Sequence, residues 1–197
     1  MNAKRVVGAL HPKFIVGIGG SSGALNAYKS ILLALSSDTD MAFVIISHMN
    51  PTAYSYLAKI LSRYTKMPVI VATNKMPIRK NHVYVIPNDA DLLIKNFAFK
   101  VLSPRSYGHK QIDVFFTSLA EAMGTRAIGI VLSGYDGDGT EGCEKIKANG
   151  GITFAQDESA EVPHMPLTAQ ASGCIDFVMP PGKMPAKLKK LAAAIKT

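Results

Sequence analysis

Short runs of purely apolar residues recur along this chain, each followed by a stretch of helical spacing, and that alternation limits the folds open to it. Residues 14–18 (Phe-Ile-Val-Gly-Ile), 42–46 and 127–132 contain no polar side chain. Segments apolar on both faces of the pleat suit strands buried on both sides of a sheet. Residues 24–35 place Leu25, Tyr28, Ile31, Leu32 and Leu35 at helical spacing. Residues 53–64, 112–123, 140–149 and 184–195 also read as helices, and Gly150-Gly151 is a stop for the third of these. Further strands are expected at residues 69–71, 83–86, 152–155 and 175–178, and a hairpin from 92–94 and 97–102 through Lys95-Asn96. Together these predict a doubly wound, mainly parallel, Rossmann-like α/β sheet with helices on both faces, with a β-hairpin and edge strands in the C-terminal half.

The 197 residues carry no internal repeat, Gly/Ser linker or heptad run, which predicts one domain. A domain of this size buries roughly 70% of its unfolded surface, enough for a core without covalent staples. Cys143 and Cys174 are the only cysteines, which excludes a disulfide framework and a cysteine-rich zinc module. They fit a reducing cytoplasm, where they would serve as small buried apolar residues. No apolar run approaches the ~20 residues a membrane-spanning helix needs. Lys4 and Arg5 before Val6-Val7-Gly8-Ala9-Leu10 imitate a secretory leader, but His11-Pro12-Lys13 ends the run. The chain is therefore expected to be soluble and cytoplasmic, without membrane insertion.

In open α/β sheets, sites form beyond the carboxyl ends of the strands. Three such ends carry reactive side chains: Gly19-Gly20-Ser21-Ser22-Gly23, Ser47-His48-Met49 and Ser133-Gly134-Tyr135-Asp136-Gly137-Asp138-Gly139. The first is neither a dinucleotide fingerprint, because Ser22 stands where the third glycine belongs, nor a P-loop, because no Gly-Lys-Ser/Thr follows. Gly19-x-Ser21-x-Gly23 does match a nucleophile elbow, which exposes a serine at a helix N-terminus. The plainer reading is a serine N-cap after a tight turn. A serine nucleophile needs a base. His48, directly after an apolar strand, shares the carboxyl edge with Ser21, and His164 is its rival; His11 and His82 precede strands. Asp136 or Asp138 could orient an imidazole, or Asp138 and Glu141 could form a capping box for the following helix.

Six ordered motifs together resemble the chemotaxis receptor methylesterases, the CheB family. They are Ile18-Gly19-Gly20-Ser21-Ser22-Gly23, Ser47-His48-Met49, Val83-Tyr84-Val85-Ile86-Pro87, Ile112-Asp113-Val114-Phe115-Phe116, Leu132-Ser133-Gly134-Tyr135-Asp136-Gly137-Asp138-Gly139 and Ala155-Gln156-Asp157. The segment Ile175-Asp176-Phe177-Val178-Met179-Pro180-Pro181 is similar to the family's closing strand. The resemblance implies a single catalytic domain over residues 1–197, its core about 14–195, with no receiver domain on this chain. It implies a Ser21-His48-Asp138 triad, backbone oxyanion donors at Ser22 and Tyr135, and substrate contacts at His164 and Met165. The implied reaction is hydrolysis of glutamyl methyl esters on the cytoplasmic helices of methyl-accepting chemoreceptors, with receptor glutamine deamidation as a companion activity. No cofactor or metal is implied, and a receiver or methyltransferase domain of the parent protein is a candidate partner. The sequence departs from the family's usual words at Ala24, Tyr135, Gly137 and His164-Met165-Pro166-Leu167.

Two other classes compete with this expectation. The altered His164–Leu167 stretch suits a receptor-binding or scaffolding module of the same fold. The net charge of +8 and a pI near 9.5 make nucleic acid a partner to test, although no nucleic-acid motif accompanies them. The charge is also unevenly spread: residues 41–112 carry +8 and residues 113–182 carry −7. That layout suits docking to charged receptor helices at least as well as nucleic acid, and no nucleic-acid partner is expected.

Overall fold

The computed structural model describes residues 11–47 and 54–194. Its strands are β1 (Phe14–Gly20), β2 (Met41–Ser47), β3 (Val69–Val71), β4 (His82–Val85), β5 (Asp91–Lys95), β6 (Ala98–Leu102), β7 (Ala127–Val131), β8 (Ile152–Gln156) and β9 (Phe177–Met179). The helices are α1 (Ala24–Ala34), α2 (Tyr54–Leu61), α3 (Gln111–Met123), α4 (Thr140–Ala148), α5 (His164–Ala171) and α6 (Met184–Ala194). Seven strands form one sheet in the order β3-β4-β2-β1-β7-β8-β9, and every pairing in it is parallel. The expected doubly wound α/β fold is present.

The apolar runs bury as their composition requires. All seven residues of β1 and of β2 are buried. Phe14, Val16 and Ile18 pack with α1, α2 and α6 on one face, through Tyr28, Ile31, Leu57, Leu61 and Leu188. Ile15 faces the other way, into a core shared by α3, α4 and α5 and the hairpin. On that second face β1 carries glycines, and a Cβ at Gly17 would lie 2.7 Å from the Phe116 ring, while one at Gly19 would lie 2.5 Å from Ile112. The bare strand lets α3 settle directly against the sheet, which places the N-terminus of α3 over the carboxyl ends of β1 and β7.

Four details differ from the sequence expectations. The hairpin is a separate two-stranded antiparallel sheet at the middle of the chain, not in its C-terminal half. Its turn is Asn96-Phe97 rather than Lys95-Asn96, because Lys95 pairs with Ala98. Both turn residues have positive φ (52° and 56°), which a two-residue primed turn demands. Asn96 adopts this readily, and Phe97 is held by its ring, 4.5 Å from that of His11. Sequence periodicity does not flag α5: Pro166 sits in its first turn, where a proline removes no helical hydrogen bond. The last strand starts at Phe177 instead of Ile175, because the Asp176 carboxylate turns inward to accept the Thr153 N–H at 3.0 Å.

The cysteines are buried but not merely apolar filler. Their thiols hydrogen-bond each other, and with complete burial this pushes Cys143 well above the ordinary thiol range. The bond with Cys143 draws Cys174 down to about 7 against the opposing effect of burial, with help from Ser172.

Candidate active site

The first strand, β1, lies in the middle of the sheet; the chain goes on to β2, to β3 at the edge and back to β4 between them, and later returns to add β7 on the other side of β1. This reversal makes the carboxyl ends of β1 and β7 a topological switch point, where open α/β sheets form their clefts. Ser21 follows β1, and the segment from Ser133 to Gly139 follows β7, so two chain regions over a hundred residues apart meet at one point. The parallel register between Ile15–Gly19 and Ala127–Val131 continues past the strands. Leu132 N–H donates to Gly19 O and Ser21 N–H to Ser133 O, both at 2.9 Å.

Beyond this, the chain after Ser21 turns at once into α1. Ala24 N–H donates to Ser21 O at 3.1 Å, and Gly23 reverses the backbone at φ 76°. Gly23 is itself the N-cap, and no side chain caps α1. The plain N-cap reading of these serines therefore fails. Among the described residues, no hydrogen bond engages the Ser21 hydroxyl, and the backbone N–H groups of Ser22 and Tyr135 donate to no protein acceptor.

Ser133, to which the sequence assigned no role, fixes the junction. It is fully buried, and its hydroxyl donates to Ser22 O at 2.8 Å while accepting Val162 N–H at 2.9 Å. One hydroxyl thus joins the loops after β1, β7 and β8. Ser133 N–H donates to Gln156 Oε1 at 3.1 Å, and Gly134 exchanges backbone bonds with Val162 and Met165. Fully buried Met165 packs so tightly on Gly134 that a Cβ there would lie 1.8 Å from its sulfur and 3.0 Å from Ser21 Cβ. Met165 therefore forms part of the wall beside Ser21. His164 is exposed at the first turn of α5, and Tyr135 is 70% exposed at the rim.

Asp138 is buried, with only 6% of its surface exposed. Its carboxylate accepts Ile112 N–H at 2.8 Å on one oxygen and Asp113 N–H at 2.9 Å on the other. It therefore caps α3, not the helix that follows it, and the local capping box with Glu141 does not form. Glu141 pairs with Lys110 instead, at 3.0 Å. The positive end of α3 and two backbone donors hold Asp138 in a fixed orientation. A carboxylate has about four lone-pair sites, so these two donors do not exhaust it. Asp136 Oδ1 accepts Asp138 N–H at 3.2 Å, shaping the loop. Beside Asp138 opens a cleft of about 320 Å³, lined by His109, Lys110, Asp113, Asp136 and Glu141.

His11 and His82 lie at the opposite, amino-terminal side of the strands, as their sequence positions require. His48 lies outside the described residues. Of the proposed site residues, the structure thus gathers Ser21, Ser22 and Met165 into one hydrogen-bonded junction, with Tyr135 next to it in the chain at the rim. It orients Asp138 on the same sheet edge and leaves His164 exposed at the surface. Among the described residues, no group of three or more His, Cys, Asp or Glu side chains could hold a metal ion, and no helix is long and apolar enough to cross a membrane.

A seven-stranded parallel sheet with a serine on a strand-to-helix turn and an acidic loop at its switch point defines an open, doubly wound α/β domain with its candidate site at the carboxyl edge. The comparisons narrow this class. The family model described as CheB methylesterase matches residues 16–188, and this chain belongs to the CheB methylesterase family. A protein of Leptospira interrogans is 33% identical over 166 residues, covering 82% of this chain and 86% of its own length. The protein-glutamate methylesterase/protein-glutamine glutaminase of Hydrogenovibrio crunogenus is 32% identical over 90% of this chain, and that of Geobacter metallireducens 34% over 88%. The matched region spans about half the length of each of these two relatives (49% and 50%). The crystal structure of the Thermotoga maritima CheB methylesterase catalytic domain superposes with a TM-score of 0.84 at 29% identity, over 90% of this chain and 98% of that one.

Proposed function

We propose that this chain is a protein-glutamate methylesterase, hydrolysing glutamyl methyl esters on chemoreceptor helices through Ser21, His48 and Asp138, with glutamine deamidation as a second activity. The observation that carries the reading is the junction at the switch point, where the Ser21 turn is hydrogen-bonded to the loop that ends in Asp138. Family membership supplies the substrate class.

In this mechanism the Ser21 hydroxyl attacks the ester carbonyl carbon while His48 takes its proton. Asp138 fixes the imidazole tautomer and balances the positive charge that forms. The backbone N–H groups of Ser22 and Tyr135 receive the oxyanion, each contributing about 2.7–4 kcal/mol to lowering the barrier. His48 returns the proton to the departing methoxide, and methanol leaves. Water then attacks the glutamyl-Ser21 ester as His48 takes one of its protons, that proton returns to Ser21 Oγ as the acyl bond breaks, and the freed glutamic acid gives up its remaining proton to solvent. With a glutamine substrate, ammonia leaves in place of methanol. Exposed His164 borders the substrate's approach, and buried Met165 packs behind Gly134 to support the wall beside Ser21. The same reading makes residues 1–197 one catalytic unit acting in the cytoplasm, with a receiver or methyltransferase domain as its candidate partner.

The test is methanol release from methylated receptor. Ser21→Ala and His48→Ala should each abolish it, while His164→Ala should alter KM. A larger kcat loss at His164 than at His48 overturns the base assignment, and undiminished release by Ser21→Ala overturns the mechanism.

A further inference from the structure

The motif Ile112-Asp113-Val114-Phe115-Phe116 has no role in the mechanism above, yet it contains a buried carboxylate next to the site. Asp113 is 7% exposed. Its Oδ1 accepts Gly139 N–H at 2.9 Å and Gly142 N–H at 2.8 Å, the free donors at the start of α4. Asp138 performs the same service for the start of α3, where Asp113 itself is one of the two donors. Each aspartate therefore caps the helix that carries or follows the other. The arrangement depends on close contact between the two helix ends. At Gly142 a Cβ would lie 2.5 Å from Phe116 Cβ and 3.1 Å from Asp113 Cα, so only glycine admits it.

Ordinary capping would not need this exchange. Serine, asparagine or a nearer aspartate could cap either helix, and two buried carboxylates side by side oppose each other electrostatically. The arrangement does fix one object closely: the Asp138 carboxylate is pinned at both of its oxygens and at the backbone of the very next residue.

We propose that Asp113 is a positioning residue for the hydrolytic reaction, holding Asp138 in its working orientation through this reciprocal clamp. The proposal rests on the reading of Asp138 as the triad acid. Burial, together with the adjacent charge of Asp138 and against the Gly142 N–H, pushes Asp113 up to about 7. The other charged or titratable groups facing it are Asp136 and Glu141, Lys110 (paired with Glu141), His109 and the Cys143 thiol. Ionised Asp113 adds negative charge beside Asp138. The charge beside the triad acid therefore changes as Asp113 titrates.

The test follows the rate of Ser21 phosphonylation by a fluorophosphonate from pH 5 to 9 in the full chain, alongside kcat and KM for methanol release. Asp113→Asn keeps an acceptor for both N–H groups but cannot ionise. It should stay within about 5-fold of the wild-type rate while losing the wild type's change of rate near pH 7. Asp113→Ala removes the clamp and should lower kcat and the phosphonylation rate at least 10-fold in folded protein, with KM changed less than 2-fold. If Asp113→Ala folds and keeps the wild-type rate, or if Asp113→Asn keeps the wild-type pH profile, Asp113 is only a helix cap and the proposal fails. Wild-type phosphonylation at Ser21 without methanol release would sink the substrate assignment and leave the clamp standing. Absence of phosphonylation in the wild type would remove the activated serine that the clamp serves, and overturn it.

Discussion

Removing the Ser133 hydroxyl tests how far the site depends on one atom. Ser133→Ala deletes an oxygen from a fully buried side chain and changes little volume. The Ser22 carbonyl loses its donor at 2.8 Å, and the Val162 N–H loses its acceptor at 2.9 Å. Each intramolecular hydrogen bond contributes roughly 0.5–1.5 kcal/mol net, so two of them amount to about 2 kcal/mol. For a domain of 150–250 residues, each kcal/mol moves the melting temperature by about 2–4 °C, giving an expected fall of about 4–8 °C. The local effect should be larger than the global one. Ser22 directly follows Ser21, the proposed nucleophile, and a displacement near 1 Å can cost about 100-fold in rate. The expected outcome is a loss of at least about 10-fold in Ser21 phosphonylation under conditions where the variant is fully folded. Thermal unfolding by circular dichroism and timed labelling by intact-protein mass spectrometry give the two readings. A melting temperature within 1 °C of wild type together with an unchanged labelling rate would refute the argument that this hydroxyl ties the three loops together.

Three other outcomes are expected. Gly23→Ala combines a left-handed φ of 76° with a Cβ 2.6 Å from Ser133 Oγ and 2.8 Å from Glu161 Cβ, so it should lower the melting temperature more than Ser133→Ala does. Gly134→Ala drives a methyl group into Met165 Sδ and toward Ser21 Cβ, and should cut Ser21 labelling at least about 10-fold, with Met165→Ala as a second change restoring part of the rate by making room. Asp113 supplies a pH test of stability. Its folded-state pKa of about 7 lies above the unfolded value, so the folded state holds the extra proton between about pH 4 and 7, and this group's contribution to stability declines as pH rises through that window. Asp113→Asn lacks that decline, so its stability relative to wild type should improve between pH 5 and 8 in urea titrations; a constant difference across that range contradicts the raised pKa.

Much of the fold was legible because apolar runs and helical spacing are local signals. The strands at β1, β2 and β7 follow from unbroken apolar runs, and α1, α3 and α6 from the spacing of their buried residues. The misses have local physical causes. The hairpin turn slid by one residue because Phe97 is an unusual occupant of a positive-φ position. Helix α5 has no clear signal in the sequence because Pro163 and Pro166 resemble loop punctuation, although a proline in the first turn costs a helix nothing. Ser21 and Asp138 were legible as reactive residues at strand ends, but the partners of Asp138 were not. Its sequence neighbour Glu141 suggested a capping box, whereas its actual donors lie on α3, about twenty-five positions earlier.

The sequence by itself determined most of the strands and helices, which side chains at the strand ends can do chemistry, and which family they resemble, because these follow from residue type and short-range spacing. The tertiary structure alone decided that β7 lies beside β1. Strand order is set by long-range pairing and by the packing of α3 on the glycine face of β1, and neither leaves a mark within a short stretch of chain. That adjacency brings Ser133 under the Ser21 turn and the Asp113 carboxylate against the loop of Asp138, turning separate strand ends into one site.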